Sequence, residues 1–174
     1  MDFGMIAAIS AVIGVLIAIL AVMRQSQDTH VTLGVQLLHD LNKQFDSERM
    51  RQYRRDIAKL CMKREKGAEI VSTEICTRAA DVMNFFCSVG MFLKRKILDL
   101  EFTYALFSSF VIVYWEILEK DVYEVRKLTN DDSNWEEFEY LYKQMKKYER
   151  RFKKSPGKVP EDLIQLFLKA ELLP

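Results

Sequence analysis

Gly4 to Met23 is an unbroken run of uncharged residues that begins almost at the first position of this 174-residue chain. As a helix rising about 1.5 Å per residue it is about 30 Å long, the thickness of a bilayer's hydrocarbon. Its small residues Gly4, Ala7, Ala11, Gly14, Ala18 and Ala21 recur at alternating steps of three and four. Such steps return to one side of a helix, leaving a smooth small face opposite a bulky face of Ile, Val and Leu. In lipid, apolar bulk does not drive association, whereas small side chains let helix backbones approach closely. The pattern predicts a transmembrane anchor whose small face packs against other copies of the chain and whose bulky face meets membrane lipid. Ser10 lies at the edge of the small stripe, where a pore would place a polar residue.

A cleaved signal peptide would open with positive charge and close on a small-x-small site. Here the first charge is Asp2, and the run closes on Ala21-Val22-Met23-Arg24. With basic residues following the run, the positive-inside rule predicts the N-terminus outside and the body in the cytosol.

Beyond the anchor the apolar spacing is three to four throughout, and the whole chain has only 6 Gly and 3 Pro. This predicts an all-α protein, with an anchor over 1–24, a cytosolic helical bundle over 25–154, and a short helix and tail over 155–174. The first cytosolic helix is striped by Val31, Val35, Leu38, Leu41 and Phe45. Ser47 caps the second, which Gly67 stops. Ser72 or Thr73 opens the third, striped by Ile75, Ala79, Val82, Phe86, Val89 and Leu93. Asp99 caps a fourth with Phe102, Leu106, Phe110, Val113 and Ile117 along it. Ser133-Asn134-Trp135-Glu136 reads as a capping box for a fifth helix that buries Trp135, Phe138, Tyr142, Met145 and Phe152. Pro160 starts a last helix with Leu163, Phe167 and Leu168. The uncharged stretches Val82–Leu93 and Phe102–Trp115 are too short to cross a bilayer and read as core helices.

Charge nearly cancels, with 26 Lys+Arg against 25 Asp+Glu, yet the signs are segregated. A basic surface of Arg49, Arg51, Arg54, Arg55, Lys59 and Lys63 lies on the second helix. A second basic block runs from Lys143 to Lys154, and between the two lies an acidic tract from Glu116 to Glu139. Solvated faces with salt bridges, complementary patches meeting between subunits, and binding of nucleic acid or anionic headgroups all fit that pattern.

The three cysteines, Cys61, Cys76 and Cys87, have no metal-type spacing and read as buried, reduced thiols. Asn84 reads as a buried polar contact, and Arg78 with Asp81 as an intrahelical pair. Of the two histidines, His30 and Arg24 fit the arginine–histidine spacing of HEPN-type ribonucleases, although a chance spacing near a helix start explains them as well. No phosphate loop, H-E-x-x-H, C-x-x-C or nucleophile elbow is present. Neither catalytic residues, nor a metal site, nor a cofactor is expected.

Phe45-Asp46-Ser47-Glu48-Arg49-Met50-Arg51, Arg54-Arg55, Asn84-Phe85-Phe86, Ile97-Leu98-Asp99, Tyr114-Trp115 and Trp135-Glu136-Glu137-Phe138 resemble a family of short, single-span bacterial proteins of unknown function. The anchor followed by a helical body also resembles the HEPN-like membrane accessory proteins encoded beside type VI-B CRISPR RNA-guided ribonucleases. That resemblance implies residence in the bacterial inner membrane, assembly into a pore that aids antiviral defence, and an RNA-guided CRISPR ribonuclease system as direct or functional partner. The late helices carry no arginine–histidine pair, which counts against ribonuclease activity and leaves RNA binding open. The function expected is therefore a non-enzymatic, homo-oligomeric, single-pass membrane protein. The alternatives are a membrane-tethered HEPN-like RNA-binding or RNA-cleaving module and a plain anchored scaffold.

Overall fold

The computed structural model describes residues 32–152 and 157–173. The apolar run, its small stripe, Ser10, Arg24 and His30 lie outside the described residues. Within them the chain is all-helical, with no strand. Helix α1 covers residues 32–45, α2 Glu48–Glu65, α3 Ser72–Lys94, α4 Leu100–Thr129, α5 Glu136–Phe152 and α6 Glu161–Glu171.

Local chemistry sets several of these boundaries. The Ser47 hydroxyl accepts the Met50 N–H, capping α2. At the other end Gly67, with φ +91°, donates to the Arg64 carbonyl while Ala68 reaches back to Lys63, a Schellman closure. Helix α3 closes in the same way, Lys96 donating to Leu93 and Ile97 to Phe92, but here a lysine at φ +58° takes the left-handed position. The Asp99 carboxylate then accepts the Phe102 N–H at 3.1 Å and starts α4.

Helix α3 opens at Ser72, as expected, with Val71 in the N-cap position and no side-chain cap; the Ser72 hydroxyl lies 2.7 Å from carboxylate oxygens of both Asp121 and Glu124 on α4. The Ser133 hydroxyl donates to Asp131 instead of closing a capping box, and α5 starts after Trp135 turns left-handed at φ +57°.

Helix α3 is central and packs against α2, α4 and α5. At Gly90 it meets α5 backbone to backbone. A methyl group there would lie 2.9 Å from the Glu137 carbonyl carbon and nearer still to its oxygen. Helix α4 runs antiparallel to α5, with Arg126 beside Glu139, Glu116 beside Tyr142 and Tyr104 beside Tyr148.

The expected α3 stripe is buried throughout, but other stripes shift. On α1 the buried line is Gly34, Leu38, Leu41 and Phe45, and Val35 is exposed. On α4 it is Phe107, Val111, Tyr114, Leu118 and Val122, while Phe102 and Leu106 face outward. Leu141 is buried on α5 and Phe152 is not; on α6 Ile164 and Leu168 are buried and Leu163 is exposed.

Helix α4 also corrects the length argument about its uncharged stretch. At 30 residues it is, by length and composition, long and apolar enough to cross a membrane, the one such helix among the described residues. It lies mid-chain, and 44% of its most apolar window is buried inside the protein.

Candidate functional site

The basic row of α2 does not form one solvated face. Arg49 donates to the Tyr53 hydroxyl at 2.7 Å and Arg55 pairs with Glu48 at 3.0 Å. Lys59 lies 3.5 Å from Asp56, and Arg51 and Lys63 are exposed. Arg54 leaves the surface altogether. Its Nε lies 2.9 Å from a Glu171 carboxylate oxygen, its Nη1 donates to the Phe45 carbonyl, and its guanidinium stacks 4.3 Å above the Phe45 ring. The signal for this was present in the sequence: Met50, Arg54, Ile57, Ala58 and Cys61 share the buried face of α2, at helical spacing.

The acidic tract and the late basic block meet within the chain. Arg64 grips both carboxylate oxygens of buried Asp121 at 2.8 Å. Arg126 and Lys143 converge on Glu139. Glu116, with 3% of its side chain exposed, accepts from the Tyr142 hydroxyl and the Val159 N–H, with the Lys146 ammonium 3.8 Å away. Burial alone would disfavour charge on Glu139, but hydrogen bonds from Lys143, Arg126 and Tyr123 outweigh it and hold the carboxyl below its usual range. These groups tie α2, α4, α5 and the approach to α6 together. Lys143 and Glu139 pair along α5, and the other ion pairs run between helices.

The thiols are free. Burial pushes Cys61 and Cys87 up to about 11 and Cys76 to about 12, where a thiolate nucleophile is scarce at neutral pH. His39 is exposed on α1. Asn84 is exposed rather than buried, and accepts from the Trp135 indole N–H at 3.2 Å. Arg78 and Asp81 are both exposed, with no ion pair between them. No cluster of three metal-binding side chains occurs among the described residues.

An apolar cleft lies where α1 enters the bundle. It has a volume of about 520 Å³ and is lined by Gly34, Val35, Leu38, Ile97, Phe102 and Tyr140, among others. Gly34 abuts the α3–α4 turn so closely that a methyl group would sit 2.9 Å from the Ile97 carbonyl oxygen. Leu98 plugs the turn from inside, while Ile97 and Phe102 stand outward at 41% and 56% exposure. The start of α1, the C-terminus of α3 and the N-terminus of α4 thus form a single corner.

Residues 8–145 match the model of a family described as a domain of unknown function, DUF4760, and the chain belongs to that family. No curated protein and no solved structure matches the chain.

Proposed function

We propose that this family member is a homo-oligomeric, single-pass membrane protein, with residues 4–23 crossing the bilayer and the helical bundle on the cytosolic side. The observation that carries the reading is the uncharged run with its small stripe, Gly4, Ala7, Ala11, Gly14, Ala18 and Ala21. Two facts support it. The family match reaches back to residue 8, so most of the run belongs to the shared domain and is not an appendage to it. Only eight residues separate Met23 from the start of the described α1, so the bundle is held close to the end of the run.

Neighbouring spans pack through the small stripe and expose bulky side chains to lipid. A ring of such spans encloses an apolar lumen that gates by dewetting, with Ser10 at its edge. Assembly then perturbs the membrane or opens a pore. The further step, to dissipation of membrane potential in antiviral defence beside an RNA-guided CRISPR ribonuclease, rests on the resemblance of anchor and helical body alone. The bundle contributes rigidity and contacts in this reading, not chemistry.

Topology is tested in intact cells with a tag after Pro174. The tag is expected to resist external protease and the chain to resist alkaline extraction from membranes. Release by alkali, or cleavage of the tag from outside, overturns the anchored, cytosolic arrangement.

A further inference from the structure

We propose that the corner between α1 and the α3–α4 turn is a second membrane contact, which takes anionic phospholipid headgroups. Arg95 and Lys96 bind the headgroups, and Ile97 and Phe102 enter the interfacial layer. The proposal rests on the anchored reading above and specifies how the bundle meets the bilayer.

Position is the first argument. Residues 24–31 span about 12 Å as helix and at most about 28 Å extended, and the close approach of Gly34 to Ile97 puts the corner at the end of α1 where that segment enters. Whatever surface receives the anchor is therefore held within reach of the corner at high effective concentration. Chemistry is the second. Val35, Ile97 and Phe102 line the cleft and are exposed, and Leu33 and Leu106 are exposed on the same two helices, apolar surface that a solvated corner has no reason to display.

Charge is the third. Arg95 and Lys96 are exposed beside that apolar set and form no ion pair among the described residues. Lys94 is partly engaged by Glu136 at 3.4 Å. The nearby carboxylates are Asp99, occupied in capping α4, Glu101 in the first turn of α4, and Glu136 and Glu137, both beside Lys94. Helix α5, antiparallel to α4 and in contact with its start through Tyr104 and Tyr148 at 4.7 Å, ends nearby with exposed Arg150 and Arg151. The other end of α4, at its turn into α5, carries exposed Asp131 and Asp132. Cations beside apolar side chains, on the end that the anchor enters, suit an anionic bilayer surface.

The test uses the full chain with Phe102→Trp, reconstituted into phosphatidylcholine vesicles with and without phosphatidylglycerol and carrying brominated acyl chains. Trp115, fully buried, and Trp135, whose indole N–H is held by Asn84 of α3, serve as internal references. The added indole is expected to be quenched by the brominated lipid, and more strongly when phosphatidylglycerol is present. Arg95→Gln with Lys96→Asn keeps a residue tolerant of the left-handed turn and is expected to shift corner docking by roughly ten- to thirty-fold, reducing quenching to the phosphatidylcholine level. Ile97→Trp gives the same readout from a second exposed position.

Quenching no greater than that of the parent chain overturns the lipid contact. So does a blue shift at position 102 that persists in detergent and follows protein concentration, which assigns the patch to a second copy. Failure of the chain to float with vesicles overturns the anchor as well, whereas flotation without quenching removes only the corner contact.

Discussion

Arg54 of α2 and Glu171 of α6 meet at 2.9 Å, each with 8% of its side chain exposed, and so bind the last helix to the face of α2 that also holds Ile57 and Cys61. Glu171 lies beyond the region matched by the family model, which ends at residue 145, so this pair joins an extension to the shared domain. Removing Glu171 leaves a buried guanidinium with only the Phe45 carbonyl and ring faces as partners. Glu171→Ala is expected to lower unfolding free energy by about 3 kcal/mol, and Arg54→Met with Glu171→Leu to recover most of that loss. Denaturant unfolding of the three proteins checks this, and a double variant no better than the single one contradicts it.

The contact of α3 with α5 at Gly90 leaves no room for a β-carbon. Gly90→Ala must push two helix backbones apart and is expected to cost about 2–3 kcal/mol or more. Ala105→Ser, on an exposed face of α4, should stay within about 0.5 kcal/mol. Thermal unfolding in one detergent compares the two.

Glu139 gives the fold an acid-sensitive point. Its carboxyl is held lower in the folded chain than in the unfolded one, so it contributes stability above the ordinary carboxylate pKa of about 4.3 and loses that contribution as pH falls through the lower folded value. Glu139→Gln should be less stable at neutral pH and should show a shallower fall in stability below about pH 4.5. Parallel pH profiles for the two proteins would remove this role.

The raised thiols predict slow alkylation. At neutral pH the folded chain should react with iodoacetamide far more slowly than a free thiol, and three thiols should become reactive on denaturation. One fast-reacting cysteine in the folded protein would show that its surroundings stabilise a thiolate.

Which parts of this fold were readable from sequence depended on how sharply polar residues marked the boundaries. Ser47, Gly67 and Asp99 stop or start helices by local hydrogen bonds, and the α3 stripe stands between charges on either side. On α4, Phe102 to Trp115 carries no charge, so periodicity alone did not choose the inward line, and packing against α3 and α5 selected Phe107, Val111 and Tyr114. Arg54 stands among basic neighbours that suggest a surface row, although its spacing from Met50 and Ile57 puts it on the buried face. Ser133 has the spacing of a capping box, but the Asp131 carboxylate in the same turn competes for its hydroxyl. The apolar corner at Ile97 and Phe102 emerges only when Gly34 brings α1 against the α3–α4 turn.

Self-association through the anchor is the central claim, and the mass of the full chain in detergent tests it most directly. Light scattering corrected for bound detergent should give a defined multiple of the single-chain mass. Gly14→Ile should reduce that multiple while membrane insertion persists, and Ile9→Leu on the bulky face should leave it unchanged. A single-chain mass for the unaltered protein, or equal behaviour of the two variants, would contradict the assembly.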